Sequence, residues 1–248
     1  MRGNNPLHFG MEIELEETQP FRTEGWRVDH DGTLRSNGYE FISSGKQDQP
    51  TLIQNLAGLV AEIDGRYQIT HRCSTHIHVD CTELSPYQTL SMLIGLIAND
   101  DTFFAFNEDR KQNNFCCPTF GSASVFSAFY QVCCRNQNKG DSGSADYISE
   151  EQRGDFSYNC KYLSVNPMVL STLGTLELRH FQPILDTAVA SEIMGIITSV
   201  YNHAKATRPR TINRVIQDWR SARGFEHIEY EIDWVCSALE IFQHQRGQ

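Results

Sequence analysis

The sequence predicts an α+β fold with a largely antiparallel sheet. Segments with the two-residue alternation of β-strands are interrupted at irregular intervals by segments with helical periodicity, whereas a doubly wound parallel sheet would alternate regularly. The 248 residues contain no internal repeat and no clear linker, so we expect one domain over 1–248. Within it, the Gly-, Ser- and Asn-rich stretch 135–146 indicates a flexible lid, or a tolerated surface insertion, around 106–159.

Composition narrows the class of protein. A net charge of −10 argues against a general nucleic-acid-binding surface. The apolar stretches are too short to span a membrane and the first residues lack an apolar signal region, so we expect a cytoplasmic protein without a membrane partner. The eight cysteines include no C-x-x-C spacing, which favours reduced thiols over disulfides or a structural zinc site.

The first predicted strand lies at 9–16, where apolar and acidic residues alternate. Glu12 and Glu14 share one face of it, while Met11, Ile13 and Leu15 face the predicted core. Neighbouring carboxylates repel each other, and a cation that prefers oxygen ligands, such as Mg²⁺ or Mn²⁺, would compensate for this repulsion. The alternative is a solvated strand face without a ligand.

The next elements are a turn, a strand and a helix. A polar segment at 29–34 with an Asp-Gly pair predicts a turn, and the segment 38–43 predicts a second strand that carries Glu40. A helix is expected to begin near Gln49, because Pro50 suits the first helical position. Apolar residues then recur at helical spacing as far as Gly65, which suits the end of the helix.

A third strand is predicted at 72–80. Its alternation places Ser74, His76, His78 and Asp80 on one face and mainly apolar or thiol side chains on the other. Ser85 then suits the N-cap of a helix that has a proline in its first turn and runs to about residue 99.

The later part of the chain predicts one more strand and several helices. A strand at 174–181 places Thr175, Glu177 and Arg179 on one face. Asp186 is expected to cap a long helix that runs to about residue 206. Further helices are predicted at 122–134, 211–222 and 232–245.

Four predicted strands therefore carry side chains that can bind a metal or a phosphate. These are Glu12 with Glu14, Glu40, His76 with His78, and Glu177 with Arg179. Each pattern has an ordinary structural explanation when it occurs alone, because H-x-H is often structural, Glu-x-Arg can be a same-face salt bridge, and a single glutamate can be a solvated edge residue. The ordered series is more specific than any of its members.

In this order the segments resemble the amidoligase family of the glutamine synthetase-like carboxylate–amine ligases. The resemblance spans about residues 8–205. It is carried by FGMEIE at 9–14, DGTL at 31–34, YEFIS at 39–43, CSTHIHVD at 73–80, RKQNNFC at 110–116, KYLSVN at 161–166 and TLELRHF at 175–181.

The resemblance implies a single catalytic domain with a curved, mostly antiparallel sheet, helices on its outer face and the site on its concave face. It implies an ATP-dependent ligase, in which ATP phosphorylates a carboxylate and an amine then displaces phosphate to form an amide. Divalent Mg²⁺ or Mn²⁺ would neutralise the phosphates, and an imidazole among the carboxylates favours Mn²⁺ slightly. The implied substrates are small-molecule or peptide carboxylates and amines, and oligomerisation stays open.

The resemblance also implies roles for individual residues. The implied metal ligands are Glu12, His76 and Glu177 for one ion and Glu14 and Glu40 for a second ion. Glutamine synthetase has a further carboxylate for the second ion, and His30, Asp31, Glu24 or water remain open for that position. The residues implied to contact phosphate or nucleotide are His78, Arg179, Lys161 and Asn166, with Arg179 suited to bidentate binding. Asp80 would orient a histidine or accept the proton of the amine.

Three other functions stay open from the sequence. A metal-dependent hydrolase could use the same polar face, although the H-E-x-x-H motif is absent. The fold could also serve as a non-catalytic nucleotide- or metal-binding module. A cysteine nucleophile is the weakest alternative, because alternation directs Cys73 and Cys81 away from the histidines.

Overall fold

The computed structural model describes residues 6–35, 37–113, 116, 162–167 and 169–206. The helices predicted at 122–134, 211–222 and 232–245, and most of the lid or insertion at 106–159, lie outside the described residues. The chain divides into two compact units, of which the first comprises Met1–Asp80, Thr102–Cys117 and Glu177–Thr198. The expectation of a single catalytic domain stays a prediction.

Strands and helices alternate irregularly along the chain. In chain order they are β1 (His8–Leu15), β2 (Trp26–His30), β3 (Tyr39–Ser43), β4 (Gln47–Asp48), α1 (Gln49–Ile63), β5 (Thr75–Asp80), α2 (Pro86–Ile97), α3 (Asp100–Phe104), a 3₁₀ helix (Glu108–Gln112), β6 (Val165–Asn166), α4 (Leu170–Leu173), β7 (Thr175–Phe181) and α5 (Thr187–Ala206).

An open sheet forms the frame of the first unit, with neighbouring strands in the order β2–β3–β1–β5–β7 and β4 paired to β1. The pairs of β1 with β3, β4 and β5, and of β2 with β3, are antiparallel. The prediction of an α+β fold with a mostly antiparallel sheet is therefore confirmed.

One face of this sheet is the core of the first unit. Met11, Ile13 and Leu15 of β1 are each 0% exposed, as the alternation predicted. Helix α1 contacts β1, and its buried side chains recur at helical spacing. Burying each such aliphatic side chain contributes about 1.5–3 kcal/mol, so the core fixes which face of every strand points away from it.

Local hydrogen bonds set the ends of the helices where the sequence predicts them. Asp48 caps α1 by accepting from the backbone N–H of Thr51 at 3.0 Å. The helix ends at Asp64, which has a left-handed φ of 46°, and Gly65 follows with a φ of 70°. Asp186 accepts from the N–H of Ala188 at 2.7 Å, which confirms the predicted cap of α5.

Strand β2 corrects the sequence analysis, which predicted a turn from residue 29. The strand extends to His30 and pairs with β3 along its length. Only Trp26 of β2 is buried, and its indole N–H donates to the carbonyl of Asn55 at 3.0 Å. A strand at the edge of a sheet with one buried residue lacks the alternation on which the prediction depended.

The second unit contains α2 and β6. The N–H of Ser85 donates to the side chain of Gln88 at 2.9 Å, so the predicted start of α2 is confirmed. Asn166 of β6 is buried, and the hydroxyl of Ser164 donates to the buried carboxylate of Asp100 at 3.0 Å. Over the described parts of the chain, no helix has both the length and the apolar character needed to cross a membrane.

Candidate metal centre

The polar face of the sheet in the first unit is assembled by strand register. Glu12 lies directly opposite His76 in the β1–β5 pair, and Glu14 lies directly opposite Glu40 in the β1–β3 pair. Opposed residues of antiparallel strands project from the same face, so residues distant in sequence become neighbours. With Glu177 of β7, four strands contribute to one cluster, which we call the Glu/His face.

The first group on the Glu/His face consists of Glu12, His76 and Glu177. Nδ1 of His76 lies 3.2 Å from Oε2 of Glu12 and 3.3 Å from Oε1 of Glu177. One ligand atom from each of the three lies within 4.8 Å of the others. This is the set that the resemblance implies for one metal ion.

The second group consists of Glu14, Glu40 and His76, again with ligand atoms within 4.8 Å of one another. It contains both glutamates that the resemblance implies for a second ion. His76 belongs to both groups, which the sequence analysis did not anticipate. Ser74 lies beside them, since its hydroxyl donates to Oε2 of Glu14 and its oxygen is 2.8 Å from Nε2 of His76.

Glu12 is held in its charged form by the two histidines. Burial would raise the pKa of Glu12, but the hydrogen bond with His76 and the ion-pair contact with His78 outweigh burial and hold that pKa well below its ordinary value. Conversely, burial would lower the pKa of His78, and its contact with Glu12, at 3.2 Å between Nε2 and Oε1, raises that pKa above the usual value. The positive charge of His78 therefore neutralises the carboxylate of Glu12.

Glu40 is in the opposite situation. Burial, followed by repulsion from Glu12, Glu14 and Asp31, raises the pKa of Glu40 to about 8. Near neutral pH this carboxyl group keeps its proton unless a positive partner is present. Asp31, one of the residues left open for the second ion, is close enough for its charge to act on Glu40.

Arg179 places a positive charge beside the first group. Its Nη1 donates to Oε1 of Glu177 at 2.6 Å, a short charge-assisted hydrogen bond. Burial would raise the pKa of Glu177, but the guanidinium of Arg179 outweighs it and lowers that pKa. Burial likewise opposes the charge of Arg179, and Glu177 overcomes this effect and raises the pKa of Arg179.

Arg110 is a buried cation that sequence reasoning did not assign to the site. It is 1% exposed, and its guanidinium donates to the carbonyls of His71, Cys73 and Arg179 at 3.4, 3.3 and 3.5 Å. It therefore ties the 3₁₀ helix to the backbone next to Ser74 and to the backbone of Arg179. Its only sequence signal was its place in the motif at 110–116, which does not indicate burial.

Gly10 allows the close approach of His78. The two residues are opposite in the β1–β5 register, and a Cβ atom at position 10 would lie 3.3 Å from Cβ of His78. Such contacts are tighter than ordinary packing, so a larger residue would displace the imidazole. The glycine in the first motif is thus explained by packing on the polar face.

The remaining predicted residues are placed as follows. Asp80 accepts from Nζ of Lys46 at 2.8 Å, a partner that the sequence analysis missed. Asn166 belongs to the second unit, and Lys161 lies outside the described residues. Cys73 is buried, and burial raises the pKa of its thiol, which disfavours the cysteine-nucleophile alternative.

The donor set fits a hard divalent cation. Carboxylates dominate both groups and a single imidazole is shared between them, a combination suited to Mg²⁺ or Mn²⁺. A cation would also relieve the repulsion that acts on Glu40. Compared with models of known protein families and with curated proteins, the chain has no significant match.

Proposed function

We propose that this chain is an ATP-dependent carboxylate–amine ligase with a glutamine synthetase-like catalytic domain. The observation that carries the proposal is the convergence of Glu12, Glu40, His76 and Glu177 with Arg179 on one sheet face. These are the residues that the resemblance implies for metal and phosphate binding. If these residues lay on separate surfaces, the ligase proposal would have no structural basis.

The charge balance of the Glu/His face suits a phosphoryl-transfer reaction. Four glutamates and one shared histidine would hold Mg²⁺ or Mn²⁺, which when bound would neutralise the triphosphate and polarise its γ-phosphoryl group. Arg179, with its planar guanidinium and raised pKa, stays charged and suits phosphate oxygens. His78 keeps a positive charge more readily than an ordinary histidine because of Glu12, which also favours phosphate contact.

The proposed reaction has two steps. A carboxylate oxygen of the substrate attacks the γ-phosphorus of ATP, which forms an acyl phosphate and releases ADP. The amine nitrogen then attacks the acyl carbon, forming the amide bond as the bond to phosphate breaks, and a base takes the proton of the amine. Asp80, fixed by Lys46, is a candidate for this base or for orienting a histidine.

The test uses hydroxylamine as a general amine that captures acyl phosphates as hydroxamates. The full chain is incubated with ATP, Mg²⁺ or Mn²⁺ and a panel of carboxylates that includes glutamate and short acidic peptides. We expect hydroxamate and ADP in equal amounts, both dependent on metal and carboxylate. Glu12→Gln and Glu177→Gln, if folded by circular dichroism, should lose at least about 100-fold in rate.

A matched control is Glu62→Gln, which removes an exposed carboxylate from α1 and should leave the rate unchanged. Hydroxamate formation unaffected by both site variants would refute the proposed centre. Hydrolysis of an amide or phosphoester without nucleotide, lost in the same variants, would support the metal-dependent hydrolase instead. Tight binding of ATP and metal with no turnover on the whole panel would support a binding module.

A further inference from the structure

Lys46 and Asp80 form an ion pair that crosses strand β1. Nζ of Lys46 lies 2.8 Å from Oδ1 of Asp80. Lys46 directly precedes β4, on one side of β1 in the sheet, whereas Asp80 is the last residue of β5 on the other side. Two inter-strand spacings, about 10 Å, separate the two backbones, so the lysine side chain extends over β1 to reach its partner. The proposed function uses Lys46 only to fix Asp80.

The ion pair lies on the same side of the sheet as the Glu/His face. Alternation along β5 directs Asp80 to the same side as His76 and His78. Asp80 is two residues beyond His78, a distance of about 7 Å along a strand. His78 is the residue that the proposed function places against phosphate, so the ion pair borders the proposed reaction centre within the first unit.

The strand register explains how the lysine crosses β1. Gln47 is directly opposite Phe9, so the preceding residue, Lys46, is level with Gly10. Gly10 in turn is directly opposite His78 in the pair of β1 with β5. Because Gly10 has no side chain, β1 places no obstacle in the path of the lysine at that level.

The turn that carries Lys46 is fixed by hydrogen bonds. The N–H of Ser44 donates to the carbonyl of Gly25 at 2.8 Å, and Nε2 of Gln47 donates to the carbonyl of Ser44 at 3.2 Å. Gly45 has a left-handed φ of 75°, which turns the chain immediately before the lysine. A defined backbone therefore presents the ammonium group, which lowers the entropy cost of binding a ligand.

Both charged groups can be reached by a ligand. The side chains of Lys46 and Asp80 are 32% and 18% exposed. An ammonium group has three N–H donors, of which the bond to Asp80 uses one, and a carboxylate accepts several hydrogen bonds. A partly exposed ion pair contributes little to stability, so stability alone does not account for a lysine that extends across β1 to this place.

The two opposite charges select among ligands. A phosphate or a simple carboxylate bound at Lys46 would be repelled by Asp80, and a simple amine bound at Asp80 would be repelled by Lys46. A free α-amino acid carries its ammonium and its carboxylate on the same carbon atom. It can therefore place the ammonium against Asp80 and the carboxylate against Lys46 without breaking the ion pair.

We propose that Lys46 and Asp80 recognise a free α-amino acid as the amine substrate, with Asp80 holding its ammonium group and Lys46 its carboxylate. This inference rests on the proposed function for the fate of the amine, but the recognition itself requires neither ATP nor metal. Lys46 determines specificity, because it favours amino acids over amines that lack a carboxylate.

The direct test is an NMR titration of the isotope-labelled full chain without nucleotide or metal. The probes are the standard α-amino acids, each compared with its carboxamide, which lacks the carboxylate, and with its N-acetyl derivative, which lacks the ammonium. We expect at least one amino acid to bind. Both of its derivatives should bind about 10-fold more weakly or worse, because each loses a hydrogen bond to a charged group.

Variants assign each charge of the ligand to its partner. Lys46→Met should weaken binding of the amino acid by about 10-fold or more without changing that of its carboxamide, and Lys46→Arg should recover most of the affinity. Asp80→Asn should weaken the amino acid but not its N-acetyl derivative. The matched control is Lys205→Met, which breaks a lysine–glutamate pair with Glu83 at 3.3 Å and should leave binding unchanged. Circular dichroism checks that each variant is folded.

A second arm uses the ligase assay and sets the amino acid that binds against hydroxylamine as competing amines. Lys46→Met should lower the ratio of amide to hydroxamate by about 10-fold or more, and Lys205→Met should leave the ratio unchanged. An unchanged ratio in Lys46→Met would show that Lys46 does not select the amine and would overturn the inference.

Three results of the titration would also overturn it. The first is that no amino acid binds, and the second is that Lys46→Met weakens the amino acid and its carboxamide equally. The third is that acetate or inorganic phosphate binds as tightly as the amino acid, which would show a simple anion site. Failure of the ligase proposal looks different, because binding of the amino acid and its dependence on Lys46 would persist while the hydroxamate assay stayed negative.

Discussion

Glu12 bridges both histidines of the H-x-H motif, with Oε2 at 3.2 Å from Nδ1 of His76 and Oε1 at 3.2 Å from Nε2 of His78. The bridge follows from register, because Glu12 is directly opposite His76 in the antiparallel pair. One carboxylate thus orients two imidazoles that project from the same side of β5. The H-x-H motif and Glu12 are therefore structurally coupled, and a substitution in either should alter the environment of the other.

Glu12→Gln should therefore lower the pKa of His78. Burial favours neutral His78, and the contact with Glu12 is what raises that pKa above 6.5. Without the carboxylate charge, burial is opposed less, so the pKa of His78 should fall below its value in the wild-type protein. The measurement is an NMR titration of His78, with Glu62→Gln as the control, and an unchanged pKa would contradict the bridge.

The same variant should show a defined dependence of stability on pH. The pKa of Glu12 is lowered on folding, so its contribution to stability is present above the unfolded value of 4.5 and is lost as the pH falls below it. At pH 7 we expect Glu12→Gln to unfold with about 1–2 kcal/mol less free energy than wild type. Urea titrations at pH 7 and pH 3 should show this difference narrowing, and a constant difference would argue against an ionic origin.

Glu40→Gln should behave in the opposite sense in the metal-free protein. The pKa of Glu40 is raised from 4.5 to about 8 on folding, so ionisation of this group costs stability as the pH rises between these values. The glutamine variant avoids that cost. At pH 8.5 we expect it to be more stable than wild type by about 1 kcal/mol, after allowing for partial exposure, and equally stable at pH 4.

Mn²⁺ should make the wild-type protein more stable than Glu40→Gln, the reverse of the order expected without metal. If Glu40 is a metal ligand, the wild-type protein gains stability from the ion by mass action, about 2.7 kcal/mol at 100 times the dissociation constant, and the variant gains less. Melting temperatures with and without Mn²⁺ at pH 8.5 measure both effects. Equal stabilisation of both proteins by Mn²⁺ would remove Glu40 from the centre.

The parts of the fold that sequence predicted are those set by local rules. The alternation at 9–16 identified the buried face of β1, and Pro50 and the cap Asp186 identified the starts of α1 and α5, because each depends on residues within one turn or one strand. The polar residues gathered on the Glu/His face follow from the same alternation. Their assignment to metals and phosphate stays a prediction.

The parts that sequence could not predict depend on contacts between distant residues. Edge strand β2 has no alternation to detect, and the pairing of Lys46 with Asp80 joins residues 34 positions apart. Burial of Arg110 depends on carbonyls 37 and 69 positions away. A polar residue with such partners looks the same in sequence as a solvated one.

Arg110→Met should destabilise the protein although the side-chain length is kept. The apolar chain would leave the carbonyls of Cys73 and Arg179 without their guanidinium donor, and an unsatisfied buried acceptor costs about 1–3 kcal/mol. We expect a loss of roughly 2–4 kcal/mol in unfolding free energy by urea titration. Arg66→Met, which removes a guanidinium at the exposed end of α1, is the control and should cost less than about 1 kcal/mol. Equal losses in the two variants would contradict the role of Arg110.

Glu177 and Arg179 should be strongly coupled in a double-mutant cycle. Their 2.6 Å hydrogen bond lies at a largely buried position, and breaking one side of such a pair leaves the other charge poorly compensated. We expect Arg179→Met alone to cost about 3–5 kcal/mol, and the double variant with Glu177→Gln to cost less than the sum of the single changes by about 1–3 kcal/mol. Mn²⁺ should restore stability to Arg179→Met, because a cation can replace the guanidinium beside Glu177, but not to Glu177→Gln. Additive costs in urea unfolding would show that Arg179 does not stabilise the charge of Glu177. An equal response of the two single variants to Mn²⁺ would show that Glu177 does not bind the ion.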